Sequence, residues 1–146
     1  MDAGWFFVIA SLIAVIGVVV AFKQLVHQVG EMIDRGDTIN EGVLQAQMTR
    51  FFMKVAIIEA IPIILIVLGF MQIGESTGDS NQMIPLTIIL LIFVFGIINV
   101  MLSKNGLFIR KEIDSSTRNS LNMLNFIGIA FVSSVPLISV IALMTM

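Results

Sequence analysis

The chain has 146 residues, of which 58% are hydrophobic and 12% charged, with a formal net charge of -2 and a mean hydropathy of +1.03. Soluble domains hold about 45 to 50% apolar residues, so this is the composition of an integral membrane protein; at about 20 residues per span the length fits four spans and leaves no room for a soluble catalytic domain. The lack of cysteine and the single histidine, His27, exclude disulfides, thiol catalysis and a cysteine or histidine-cluster metal site, so no cofactor, haem or iron–sulfur group is expected, and nothing points to nucleic acid.

Gly4 to Phe22 is nineteen uncharged residues with Trp5 at its outer end, the length and flank of a first span. Only the charge of Asp2 precedes it, so the positively charged leader of a signal peptide is missing. Ala10, Ala14, Gly17 and Ala21 recur at i, i+4, i+7 and i+11, which sets four small residues on one face where another helix can approach closely. The plainer explanation is that apolar helices are rich in Ala and Gly anyway, and spacing alone does not separate the two. Past Phe22, the apolar residues Phe22, Leu25, Val29 and Met32 alternate at helical spacing with Lys23, Gln24, His27, Gln28, Glu31, Asp34 and Arg35. The helix is therefore expected to run on into water, with His27 on its solvated face. Arg35-Gly36-Asp37 reads as a break, and Thr38 with Glu41 matches a capping box that opens the next helix.

That second helix is expected to continue through Arg50 and Lys54 into a second span, Val55 to Ile73. Inside the run Lys54 to Met71, KVAIIEAIPIILIVLGFM, Glu59 stands three residues before Pro62. An ionised, unpaired carboxylate in hydrocarbon costs on the order of 2.5 to 3.5 kcal/mol even on lenient scales. Glu59 is expected to rest with its proton on and to release it only to a polar or cationic partner. Pro62 has no N–H, so the carbonyl of Ile58 is left free beside the acid, where a protonated carboxyl can donate and the helix can bend. Sodium would need several oxygen ligands. With Ala60 after the acid and Ser11 as the only hydroxyl of the first span, a proton is favoured over sodium.

Gly74 to Gln82 is a short polar loop without a cation; Met83 to Ser103 is a third span with Pro85 at its start and Asn99 placed to bond a neighbouring helix. Lys104 to Ser120 is a second polar segment, its middle amphipathic with Leu107, Phe108 and Ile113 against Arg110, Lys111, Glu112 and Asp114. Leu121 to Met146 is the fourth span. All eight Lys and Arg residues lie in or beside the two longer polar segments, so the positive-inside rule puts those turns in the cytoplasm and both termini outside, as in a bacterial plasma membrane. The expected fold is all-α: a polytopic protein of four transmembrane helices as two tandem hairpins with helical cytoplasmic extensions. The first hairpin is 1–75 (spans 4–22 and 55–73, turn 23–54) and the second 83–146 (spans 83–103 and 121–146, turn 104–120).

Sliding Glu59 onto Ser133, an offset of 74, brings Pro62 onto Pro136, Ala56 onto Ala130 and Ile64 onto Ile138, which reads as an internal duplication. Pro136 likewise frees the carbonyl of Val132, next to Ser133 and Ser134. The stretch VAIIEAIPIILIVLGF resembles the outer helix of the c subunit, the proteolipid of rotary ATP synthases, in its bacterial Val-Ala-Leu-Val-Glu-Ala-Leu-Pro-Ile-Ile form. The resemblance is close over about 16 residues and looser over the whole chain, which shares the arrangement of hairpins. It implies that Glu59 carries the coupling ion; Ala60, Pro62, Ser133 and Pro136 are the supporting candidates around it, and the face Ala10, Ala14, Gly17 and Ala21, read from its spacing, is the candidate helix-packing surface. Ser133 would make the second hairpin ion-silent, similar to the duplicated four-helix proteolipids of vacuolar-type enzymes.

Two functions follow. The first is a proteolipid-like subunit, in the lipid bilayer and within a homo-oligomer or larger membrane complex, that carries protons on Glu59 in an ion-translocating ATP synthase or ATPase assembly, itself non-catalytic. The alternative is a four-span protein that scaffolds or regulates a partner complex through its basic hairpins, with Glu59 fixing helix order. The inner-helix run of alternating glycines and the Arg-Gln-Pro turn of the family are missing here, which favours the alternative. An independent transporter would need more intramembrane polar residues than the chain has.

Overall fold

A computed structural model describes residues 2–37, 41–74, 81–108 and 115–146. The protein is all-helical: α1 (Ala3–Asp34), α2 (Glu41–Ile73), α3 (Met83–Phe108) and α4 (Ser115–Thr145). Each is long and apolar enough to cross a membrane. At 1.5 Å per residue, the 32 residues of α1 and 33 of α2 span about 48 to 50 Å, against about 30 Å of hydrocarbon, so both helices are longer than a hydrocarbon core requires. The four-span, all-α reading of the sequence is borne out.

The stop at the end of α1 is the one that Arg35-Gly36-Asp37 suggested. Gly36 takes φ +75, the N–H of Gly36 bonds the carbonyl of Ile33 and the N–H of Asp37 that of Met32. This is a Schellman motif with glycine in the left-handed position it needs. Thr38, the expected cap of α2, lies outside the described residues, as do most of the Gly74–Gln82 loop and the stretch 109–114 of the second polar turn.

α1 is the central helix. It packs against α2, α3 and α4; α3 also packs on α4, α2 touches α4 along a thin seam, and α2 and α3 do not touch among the described residues. One buried cluster holds Val15, Val18, Phe22, Leu25 and Val29 of α1 with Leu44, Phe51 and Val55 of α2 and Leu121, Leu124 and Val132 of α4. The second, nearer the termini, joins Phe7, Ala10 and Ala14 to Ile66, Ile89, Val135 and Leu143. Leu25, Val29 and Leu44 belong to the part of the bundle beyond the expected spans, so the extensions continue the core. Their polar counterparts His27, Glu31, Asp34 and Arg35 are exposed, with Glu31 bridging His27 at 3.3 Å and Arg35 at 3.6 Å.

Close approach to α1 is what lets three helices share it. Ala10, Ala14 and Ala21 are buried, and Gly17 leaves room for the side chain of Ile58 on α2. From the other side, a Cβ at Gly128 of α4 would stand 2.7 Å from Cδ2 of the buried Phe22 ring. Gly128→Ala is therefore expected to destabilise the bundle by about 1 to 3 kcal/mol through overpacking. Gly106→Ala, in a helical position with nothing within 4 Å, should be neutral or stabilising by a few tenths to about 1 kcal/mol. Thermal unfolding of both variants in detergent measures the difference; equal melting points would contradict this packing.

Candidate functional site

Glu59 lies half-buried on the side of α2 that meets α4. Its partner is Ser134, whose Oγ is 3.1 Å from Glu59 Oε1 and 2.7 Å from the carbonyl oxygen of Phe131 in its own helix. A serine hydroxyl has one hydrogen and can accept as well as donate. If the hydrogen goes to Glu59, an ionised carboxylate accepts it. If it goes to Phe131, a protonated Glu59 donates to Ser134 instead. The pair thus accommodates both forms of the acid with one rotation of a hydroxyl.

No ion pair involves Glu59 among the described residues. Lys54, five residues earlier, turns away and donates to Gln24 Oε1 of α1 at 2.9 Å. At a similar level Lys23 donates to Asn99 Oδ1 of α3 at 3.1 Å, the interhelical bond expected of Asn99. These two lysines mark the polar end of the bundle, and Glu59 stands about 7.5 Å deeper than Lys54 along α2.

The remaining sequence-derived residues fall around this pair in different ways. Pro62 and Pro136 are both buried inside their helices. Ala60 is exposed. Ser133, the residue that the repeat aligns with Glu59, donates to the carbonyl of Ile129 at 2.7 Å within α4; the hydroxyl that reaches the acid belongs to its neighbour, which the repeat aligns with Ala60. Ser11 is fully buried at 0% exposure and donates at 3.0 Å to Ser139, equally buried, tying α1 to α4. Among the described residues no group of three or more His, Cys, Asp or Glu side chains is placed to hold a metal ion. Comparison with protein-family models, curated proteins and solved structures found no match.

Interhelical hydrogen bonds in membranes average about 0.6 kcal/mol, with a maximum near 1.7. A double-mutant cycle on Glu59→Ala and Ser134→Ala should return a coupling in that range, read from unfolding in mixed micelles. Ser133→Ala, whose hydroxyl serves only its own helix, should show no coupling to Glu59; coupling at Ser133 instead of Ser134 would reverse the assignment.

Proposed function

We propose that this chain is a proteolipid-like membrane protein that carries a proton on Glu59 within an ion-translocating assembly akin to the rotary ATP synthases and ATPases. The observation that carries the reading is the Glu59–Ser134 pair: an acid in the apolar part of a bundle, with no ion pair among the described residues, held by a hydroxyl that can serve both its charged and its neutral form. A fixed structural acid needs a constant partner; a carrier needs one that tolerates the gain and loss of a proton. In this reading the basic turns face the cytoplasm and only the first hairpin bears the ion, as expected of a duplicated proteolipid with Ser133 at the matching position.

The scaffold reading draws on a different feature. The extensions of α1 and α2 pack Leu25, Val29 and Leu44 into the core, so these two extensions offer a packed helical surface on which a partner protein can dock. In that case Glu59 is a helix-ordering residue and never changes charge.

A hydrophobic carbodiimide separates the two, because it reacts with protonated carboxyl groups in the membrane. The carrier reading expects modification at Glu59, found by mass spectrometry, that falls as pH is raised and is absent from Glu59→Gln. Lack of modification at any pH would leave the scaffold.

A further inference from the structure

Toward the basic end, the seam between α2 and α4 opens into a groove of about 500 Å³ lined by Gln45, Met48, Thr49 and Phe52 of α2 and Ser120 and Met123 of α4. The contacts advance in the same sense along both helices: residues 44–52 face 120–123, Phe51 and Phe52 face Phe131, and Glu59 faces Ser134. The two helices therefore run parallel here. The groove, the Phe52–Phe131 contact and the Glu59–Ser134 pair follow one another along this seam.

Helical geometry puts groove and acid on one line. At about 100° per residue, Met48 and Phe52 lie within about 20° of Glu59 around α2, and Met123 within about 20° of Ser134 around α4. From Thr49 to Glu59 is about 15 Å along the axis. Between them stand the rings of Phe52 and Phe131, 5.4 Å apart and tilted at 55°, with Phe51 against Phe131 at 5.9 Å. Water occupies cavities that offer it polar partners and leaves apolar ones dry. Gln45, Thr49 and Ser120 supply such partners above the rings; below them the next polar groups of the seam are Glu59 and Ser134.

We propose that this groove is the route by which protons from the basic side reach Glu59, and that the Phe52–Phe131 contact closes it. The inference rests on Glu59 being a proton carrier and adds where the proton comes from. In the step, the Phe52 and Phe131 rings part, and a hydronium ion that has passed between them gives its proton to the Glu59 carboxylate at hydrogen-bond distance, forming the O–H bond of the acid and leaving water; release reverses it. Access is then built into this chain's own helices rather than supplied wholly by another subunit.

The chain contains no cysteine, so single cysteines can be plugged selectively. Thr49→Cys and Ser120→Cys, each alkylated with a bulky polar maleimide in proteoliposomes, should slow the modification of Glu59 by a water-soluble carbodiimide roughly tenfold, a barrier change of about 1.4 kcal/mol. Phe52→Ala and Phe131→Ala should speed it. None of these changes should alter the rate with a hydrophobic carbodiimide, which arrives through lipid, and an adduct at the outward-facing Ile57→Cys should affect neither. Hydrophobic labelling that persists while the water-soluble rate ignores the plugs would overturn the groove and leave the carrier standing. Failure of both reagents at Glu59 would overturn the carrier, and the groove with it.

Discussion

In a bilayer the lipid tails are as apolar as leucine, so helices gain little from hiding hydrophobic surface and associate through close packing and a few polar contacts. The bundle depends on that constraint at α1. Ala10, Ala14, Gly17 and Ala21 keep its surface low, Gly96 and Gly128 do the same on α3 and α4, and side chains such as Val15, Phe22 and Ile58 fill the space provided. A buried serine pair, Ser11 with Ser139, adds a directional contact between α1 and α4. Bulky residues such as Ile57, Ile64, Leu91 and Phe95 are left exposed on α2 and α3, where they meet acyl chains at no cost.

Because α1 takes most of the close contacts, the α2–α4 seam is free to be loose. It contains the phenylalanine cluster, the groove and the Glu59–Ser134 pair. At this thin interface the Ser134 hydroxyl has two acceptors within reach, the Glu59 carboxyl and the Phe131 carbonyl. Rigidity at α1 and openness at α2–α4 are complementary parts of one arrangement.

Much of this was legible in the residues and some was not, for a reason specific to membranes. Helix ends are local chemistry: Gly36 in Arg35-Gly36-Asp37 announced the stop of α1, and the amphipathic stretch Phe22 to Met32 announced its continuation past the span. The centre of the bundle is not local. α1 and α3 are almost equally apolar over their most apolar stretches, yet 56% of the first is buried and 17% of the second. In water the apolar face would have identified the core; in lipid both faces are apolar and only the small residues give a hint. Ser134 escaped for a related reason, since the internal alignment describes how the halves correspond and not which side chains meet, and the hydroxyl that meets the acid belongs to the residue after the aligned one.

The parallel run of α2 and α4, with the aromatic contact followed by the Glu59–Ser134 pair, makes the seam sensitive to length more than to identity. Adding one residue between Phe52 and Glu59 would swing the carboxyl by about 100° and raise it by about 1.5 Å, away from Ser134 and toward the acyl chains, while every apolar neighbour remained apolar. Drift in sequence along these helices is therefore cheap wherever one aliphatic side chain replaces another, and a change in spacing is not: the separation between the aromatic cluster and the acid acts as a fixed ruler within the chain.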